Sequence, residues 1–308
     1  MEREPRVVAV VVTWNRRELL RESLAAVGRQ TTTPAVVVVV DNASVDGSAA
    51  AVRAEHPDAD LLVLDRNIGG AGGFAAGLRR ALDDHRPDVV WLLDDDTVPE
   101  PDALVRLLDA RAGYGPRRPA LLASRVLWTD GRDHPMNSPR EKPGVRSVER
   151  LAAGRVGCLA IRSASFVSVL IDAADIRRRG LPVADYFLWN DDFEFSTRLL
   201  RHRPGLYCPE SVVVHKTHTF GATDADPGER FYFEVRNKVW TFARSNGLNP
   251  AEKALYAGST LRRWLRTYAG SEDRRTLRRA LGRGLADGVR TAPRPTHAVL
   301  ADVGLLDD

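Results

Sequence analysis

Val89-Val90-Trp91-Leu92-Leu93-Asp94-Asp95-Asp96 is an apolar run that stops abruptly in three carboxylates. A short run rich in β-branched and aromatic residues predicts a buried strand. In an extended segment Asp94 and Asp96 point the same way and Asp95 points to the other side. Two hard oxygen ligands on one face suit Mg²⁺ or Mn²⁺ bridging to the phosphates of a nucleotide. Taken alone, the triplet also fits a solvated acidic turn leading into the helix that Pro99-Glu100-Pro101-Asp102 begins.

The segments before this strand supply its context. Val7 to Val12 predicts a first strand, and Arg17 to Arg29 an amphipathic helix on Leu20, Leu24 and Val27. Val36 to Val40 predicts a second strand, Asp46-Gly47-Ser48 opens a helix, and Leu61 to Leu64 predicts a third strand. The glycine-rich stretch from Asn67 starts a helix running through Leu82. Continuous β-branched runs without apolar/polar alternation mark strands covered on both faces. The order β-α-β-α-β-α-β therefore predicts an α/β fold with a largely parallel sheet, whose ligands bind beyond the carboxyl ends of the strands.

With 308 residues and 44% hydrophobic content, the chain can hold one large α/β domain with an appendage or two modest domains. The formal net charge of +4 is concentrated late, where Arg262, Arg263, Arg266, Arg274, Arg275, Arg278 and Arg279 cluster among leucines and Trp264. A domain change is placed near residue 216, dividing 1–215 from a helical, cationic 216–308. Gly113 to Val148 reads as connecting strands around Leu121-Leu122 and a mobile loop near Arg132 to Pro143. Cys158 and Cys208 form no paired metal-ligand spacing and read as buried small hydrophobes in a reducing compartment. The apolar runs are far shorter than the roughly 20 residues that span a bilayer, and no cleavable leader is evident, so a cytoplasmic protein is expected.

Polar residues close each predicted strand: Thr13-Trp14-Asn15-Arg16, Asp41-Asn42-Ala43-Ser44, Asp65-Arg66-Asn67 and the triplet. In a parallel sheet these ends lie side by side, so Asp41 can accept hydrogen bonds from a base or ribose, with Thr13 and Arg16 near phosphate. Asp41-Asn42 equally suits a helix cap. Asn67-Ile68-Gly69-Gly70-Ala71-Gly72-Gly73 permits close backbone approach and can aim amides at an anion. Without a following Lys-Ser or Lys-Thr it is not the nucleoside-triphosphatase loop. A further cluster, Trp189-Asn190-Asp191-Asp192-Phe193-Glu194-Phe195, surrounds carboxylates with aromatics, a setting that can tune one of them as a general base. His215 closes the strand Val212-Val213-Val214, where an imidazole can complete a metal site; His218 competes for that role.

The ensemble resembles the family 2 inverting glycosyltransferases with the GT-A fold. Val12-Thr13-Trp14-Asn15-Arg16 is similar to the family's opening strand, Val40-Asp41-Asn42-Ala43-Ser44 to its base- and ribose-binding end, and Asn67 to Phe74 to its glycine-rich turn. The triplet stands where the family has its metal-binding Asp-x-Asp, and Asn190-Asp191-Asp192-Phe193-Glu194 where it has the catalytic base. Within the family, Gly69 to Phe74, Val90 to Asp96 and Arg230-Phe231-Tyr232-Phe233-Glu234-Val235-Arg236-Asn237 look most like the actinobacterial galactofuranosyltransferases. Rhamnosyltransferases share much of this.

The resemblance implies a site and a chemistry. Asp94, Asp96 and His215 would hold Mn²⁺ or Mg²⁺, which would neutralise charge on a UDP leaving group. Thr13, Asn15, Arg16, Asp41, Asn42, Asn67, Gly69, Gly70, Gly73 and Asp95 would surround the nucleotide sugar. Asp192, with Asp191 as the competing choice, would deprotonate the acceptor hydroxyl as it attacks from the face opposite UDP, inverting the anomeric centre. Trp189, Glu194 and Arg236 would meet the acceptor, Glu194 alternatively pairing with Arg198. The donor would be UDP-galactofuranose or, alternatively, dTDP-rhamnose, and the acceptor a polyprenyl-linked or other glycan. The cationic C-terminal region reads as a membrane-surface anchor or as a solvated face packed on the catalytic domain. Nucleic-acid binding is disfavoured, because the arginines are not interleaved with a base-stacking platform. A sugar nucleotidyltransferase and a glycan-binding module without turnover are the competing classes.

Overall fold

The computed structural model describes residues 3–221 and 226–305. Its first half follows the sequence pattern. Strands β1 (Val7–Thr13), β2 (Val36–Asp41), β3 (Asp60–Val63) and β4 (Val89–Asp94) alternate with helices α1 (Arg17–Gly28), α2 (Ser48–Glu55) and α3 (Gly69–Asp84). All seven residues of β1 are buried, as a strand covered on both faces requires. Leu20, Leu24 and Val27 of α1 are buried against it. Gly77 of α3 stands where a Cβ would meet Val10 Cγ1 at 2.4 Å, so glycine lets this helix lie directly on β1.

After β4 come β5 (Thr97–Pro99), α4 (Ala103–Gly113), β6 (Leu121–Leu127), β7 (Arg140–Glu141), α5 (Ser147–Arg155), β8 (Leu159–Ser163), β9 (Ser168–Asp172), α6 (Ala173–Arg179), α7 (Asp191–Leu199) and β10 (Gly205–His215). The sheet runs β3-β2-β1-β4-β9-β6-β10-β8-β7, with β5 against β10. β1 to β4 pair in parallel, and so do β6 and β10. The expected parallel sheet is interrupted by β9, which runs antiparallel between β4 and β6. β9 carries the same apolar pattern as its neighbours, so direction is not written in its composition. Because β6 and β10 regain the direction of β4, His215 emerges at the same edge as Thr13, Asp41 and Asp94.

The C-terminal part is helical: α8 (Phe231–Arg244), α9 (Pro250–Gly270), α10 (Arg274–Arg290) and α11 (Thr296–Ala301). The change near residue 216 coincides with the end of β10, but packing continues across it. Val299, Leu300 and Val303 join the apolar core beneath α3. Trp264 and Arg263, read in sequence as part of an outward cationic cluster, turn inward onto Glu234. Cys158 and Cys208 are buried, as expected, and fifty residues of intervening chain fold so that their sulfurs lie 3.2 Å apart as free thiols.

Candidate active site

Three of the strand ends build one pocket of charge. The Thr13 hydroxyl donates to Asp95 Oδ2 at 2.8 Å, and Arg16 Nη1 reaches Asp95 Oδ1 at 3.2 Å and Asp96 Oδ2 at 2.5 Å. Arg16 is thus held in place by the triplet. Asp95 ties β1 to β4 through these contacts and shares Arg16 with Asp96. Asp94, Asp96 and His215 each offer a ligand atom, and these atoms lie within 4.8 Å of one another. His215 Nε2 is 3.0 Å from Asp96 Oδ1, while its Nδ1 lies 2.8 Å from Asn137 Oδ1. That second contact fixes the ring orientation and leaves Nε2 toward the carboxylates.

The electrostatics follow from burial and crowding. Asp94 is pushed up to about 7, by burial first and then by Asp96. Asp95 rises to about 6 through burial, against the pull of Arg16. Burial also works against Asp96, yet His215 and Arg16 outweigh it and hold that carboxyl below the usual range. His215 is raised, because Asp96 and Asp94 overcome the opposing effect of its burial. Clustered carboxylates that resist ionisation together are what a divalent cation would relieve. Two carboxylates with one imidazole form an oxygen-dominated donor set that fits Mn²⁺ or Mg²⁺.

Beside this cluster lies the second strand end. Asp41 is buried, with Oδ1 accepting from the Ser44 amide at 2.7 Å and Oδ2 left without a partner. An unpartnered buried carboxylate oxygen is the arrangement expected of a group that awaits a ligand donor. Asn15 has φ +52° and bridges the two loops, its amide donating to Ser44 Oγ and its side chain accepting from Val45 N. Asn42 uses both ends of its amide on the glycine-rich turn, donating to Gly69 O and accepting from Ile68 N. Asn67 accepts from Gly69 N. Gly73 faces Val12, and a Cβ there would meet its Cγ1 at 2.5 Å; Gly70 alone of the predicted glycines faces open space. Asn42, Asn67, Gly69 and Gly73 therefore shape the turn and seat it on the sheet, where the sequence suggested ligand contact.

The carboxylates after Trp189 sit at the start of α7. Phe187, Trp189 and Asn190 all have positive φ, at +63°, +64° and +67°. Each such non-glycine residue costs of order 1–3 kcal/mol, so the segment needs external support. Asn237 of α8 supplies it, its fully buried Nδ2 lying 2.9 Å from the carbonyls of Tyr186, Leu188 and Trp189. Gly69 completes the support from the other side, where any side chain would strike the Phe187 backbone. The consequence is that Asp191 and Asp192 begin a helix whose N-terminal dipole favours negative charge.

The two carboxylates differ in exposure. Asp191 is 8% exposed and raised well above its ordinary value, by burial first and then by Asp192 and Asp94. Asp192 is more open and also raised by burial, but Phe193 N, Lys238 and Arg140 pull it back. Trp189 is half-buried, with the Arg230 guanidinium 5.6 Å from its ring centre. The other two predicted acceptor contacts are occupied within the protein. Glu194 is buried, paired with Arg198 and accepting from Ser245 Oγ. Arg236 donates to the carbonyls of Asp185 and Tyr186 and lies against Trp240. Both act as braces behind the segment: Glu194 makes the Arg198 pair that was its alternative reading, and Arg236 is engaged by backbone carbonyls. Sequence reasoning missed Asn137, Asn237, Lys238, Arg140 and Glu234, which gather from remote segments.

Residues 8–167 match the model of glycosyl transferase family 2. Galactofuranosyltransferase GlfT1 of Mycolicibacterium smegmatis is 42% identical over 241 residues, covering 72% of this chain and 73% of the relative. The chain belongs to glycosyl transferase family 2. GlfT1 of Mycobacterium tuberculosis H37Rv is 30% identical over 253 residues, covering 77% of this chain and 82% of the relative. Among solved structures, S. aureus TarS 1-349 in complex with UDP superposes with a TM-score of 0.62 at 18% identity, over 98% of this chain and 83% of that one. The mannosyltransferase PcManGT from Pyrobaculum calidifontis, in complex with GDP-Man and Mn²⁺, superposes with a TM-score of 0.54 at 21% identity, over 97% and 79%. The fold is thus the GT-A fold, and the chain is a glycosyltransferase rather than a nucleotidyltransferase or an inert binding module. No described helix is long and apolar enough to cross a membrane.

Proposed function

We propose that this glycosyltransferase moves galactofuranose from UDP-galactofuranose to a hydroxyl of a lipid-linked glycan, with inversion and with a divalent cation. The observation that carries the reading is one sheet edge that holds both an orphan Asp41 oxygen and the Asp94–Asp96–His215 cluster, with Asp191, the first residue of α7, near enough to Asp94 to feel its charge. The likeness to the GlfT1 proteins supports the choice of sugar. Asp41 would take up hydrogen bonds from the uridine. Asp94, Asp96 and His215 would hold Mn²⁺ or Mg²⁺, which when bound supplies Lewis-acid neutralisation of the leaving diphosphate. Asp192 is the general base, being the more accessible carboxylate and the one with cations near it. Its raised pKa suits a group that must accept a proton near neutral pH.

The test is a thermal-shift screen with UDP, GDP, dTDP and CMP, each with Mn²⁺ or with EDTA, since a ligand that binds the folded state raises its melting temperature. Stabilisation by UDP only with Mn²⁺ is the expected result. A preference for dTDP would move the donor to dTDP-rhamnose, and equal stabilisation with EDTA would remove the cation from the reading.

Asn237→Ala is expected to lower kcat by about 10²-fold with little change in donor KM, because misplacing a catalytic group by an ångström has about that effect. Steady-state kinetics decide it; an unchanged kcat would show that the segment holds itself. Membrane-surface contact belongs to the same reading. Leu255, Leu261 and Leu265 are exposed on α9, beside Arg262 and Arg266. Flotation with anionic vesicles is expected to carry the protein, and Leu261→Ser with Leu265→Ser to release it. No flotation of the parent protein would leave this face solvated.

A further inference from the structure

Lys238 is the least provided-for charge in the active-site region. It lies on α8, is 4% exposed, and its ammonium makes no hydrogen bond or ion pair among the described residues. Its Nζ stands 3.9 Å from the ring centre of Phe193, the residue that follows Asp192. Arg140 of β7 approaches the same ring, its guanidinium carbon 5.5 Å from the centre. Two cations thus converge on one aromatic ring at the start of α7. A buried ammonium held only by aromatic faces, those of Phe193 and Phe242, recovers part of its desolvation cost, and an apolar side chain would fill the space at least as stably. Its presence calls for a role other than stability.

The charged surroundings limit that role. From α8 itself Glu234 faces Lys238, from α9 Arg263, from β7 Arg140, and from α7 Asp192. Glu234 is already engaged by Asn190, Arg263 and Trp264. Glu234 is the stronger of the two carboxylate influences on Lys238, but among the described residues Asp192 has no cation hydrogen-bonded to it, and Lys238 is the cation that acts on it most. Asp192 in turn is faced by Lys238 and Glu234 from α8, by Arg140 from β7, and by Asp191 within α7.

We propose that Lys238 is a positioning residue for transfer: its buried ammonium is the counter-charge that keeps the Asp192 carboxylate ionised when a bound acceptor shuts out water. The inference rests on the reading of Asp192 as base. Burial drives Asp192 toward the neutral, unreactive form, and the two cations oppose this. Burial lowers Lys238 to about 8, so it remains charged at neutral pH. Removing the cation raises the Asp192 pKa further, so base activity is lost at a higher pH than in the parent enzyme. Above that range Asp192 is ionised with or without Lys238, and the two enzymes converge.

The experiment is the pH profile of kcat, at saturating donor and acceptor, for Lys238→Met, Lys238→Arg, Arg140→Met and Asp192→Asn, measured as UDP release from UDP-galactofuranose with Mn²⁺ and a lipid-linked glycan acceptor. Lys238→Met is expected to move the acidic limb up by about one pH unit, a tenfold loss near pH 6 that closes to within about twofold at pH 9. Its melting temperature is expected to stay equal or rise, whereas a packing role would lower it. Lys238→Arg keeps the limb near its parent position, and Arg140→Met, a surface change that leaves the core intact, moves it the same way as Lys238→Met. An acidic limb that stays in place in Lys238→Met, or a loss equal at pH 6 and pH 9, overturns the inference while an inactive Asp192→Asn leaves the base assignment standing. A fully active Asp192→Asn overturns the base assignment itself.

Discussion

Asp192→Asn is expected to lower kcat by between about 10² and 10⁴-fold, the usual contribution of a positioned general base. The amide keeps the volume and the contact with the Phe193 amide, which leads into α7. Donor binding, remote from this side chain, is expected to persist, so the melting shift induced by UDP with Mn²⁺ should match that of the parent. Single-turnover kinetics separate the two: binding retained with transfer abolished is the expected pair. If Asp192→Asn transfers sugar at the parent rate, Asp191 becomes the candidate, although its deeper burial, with Asp192 and Asp94 close by, pushes its carboxyl well above the ordinary range.

The second large effect is expected from Asp96→Ala. This carboxylate meets Arg16 through one oxygen and faces His215 through the other, so its removal frees the half-exposed Arg16 guanidinium and opens the cluster at once. Losing one of three ligands is expected to abolish the Mn²⁺-dependent part of UDP binding, seen as a melting shift no longer sensitive to EDTA. Transfer should fall by at least about 10²-fold, since the metal supplies several kcal/mol of charge stabilisation in such reactions. A variant that still responded to Mn²⁺ as the parent does would place the cation elsewhere. Asp95→Asn makes an informative comparison. Asp95 is bound to Thr13 and Arg16 rather than facing His215, so its loss is expected to loosen the β1 end without removing the metal response.

Much of the fold was legible because β1, β2 and β4 are continuous apolar runs with helices of clear period between them. The Asp-rich ends were legible for the same reason: where a buried strand stops in charge, that charge sits at the edge of the sheet. β9 was not legible, since an apolar strand reads the same in either direction and only its partners decide. Asn137 was hidden in a stretch without periodicity. Its amide matters only because β10 delivers His215 to within 2.8 Å of it.

The C-terminal helices show the limit most sharply. Composition marked them as cationic and set them apart from the sheet. In three dimensions α8 carries Asn237, which fastens the strained segment before Asp191, and Lys238, which lies against Phe193. Arg236 was read as an acceptor contact because of its place in a motif and is engaged by the carbonyls of Asp185 and Tyr186, whereas Glu194 makes the Arg198 pair that was its alternative reading.

The sequence by itself determined the order of elements, the strand ends where charge collects, and the two carboxylates that begin α7, because periodicity and abrupt polarity changes are local properties of a chain. The tertiary structure decided which of those polar groups are occupied and which are left open. That depends on partners remote in sequence: Asn42 is used up by the glycine turn, Asp41 Oδ2 is not, and Lys238 is buried against the ring of Phe193. Hydrogen-bond saturation and desolvation are set by the neighbours that folding brings, and no linear pattern carries them.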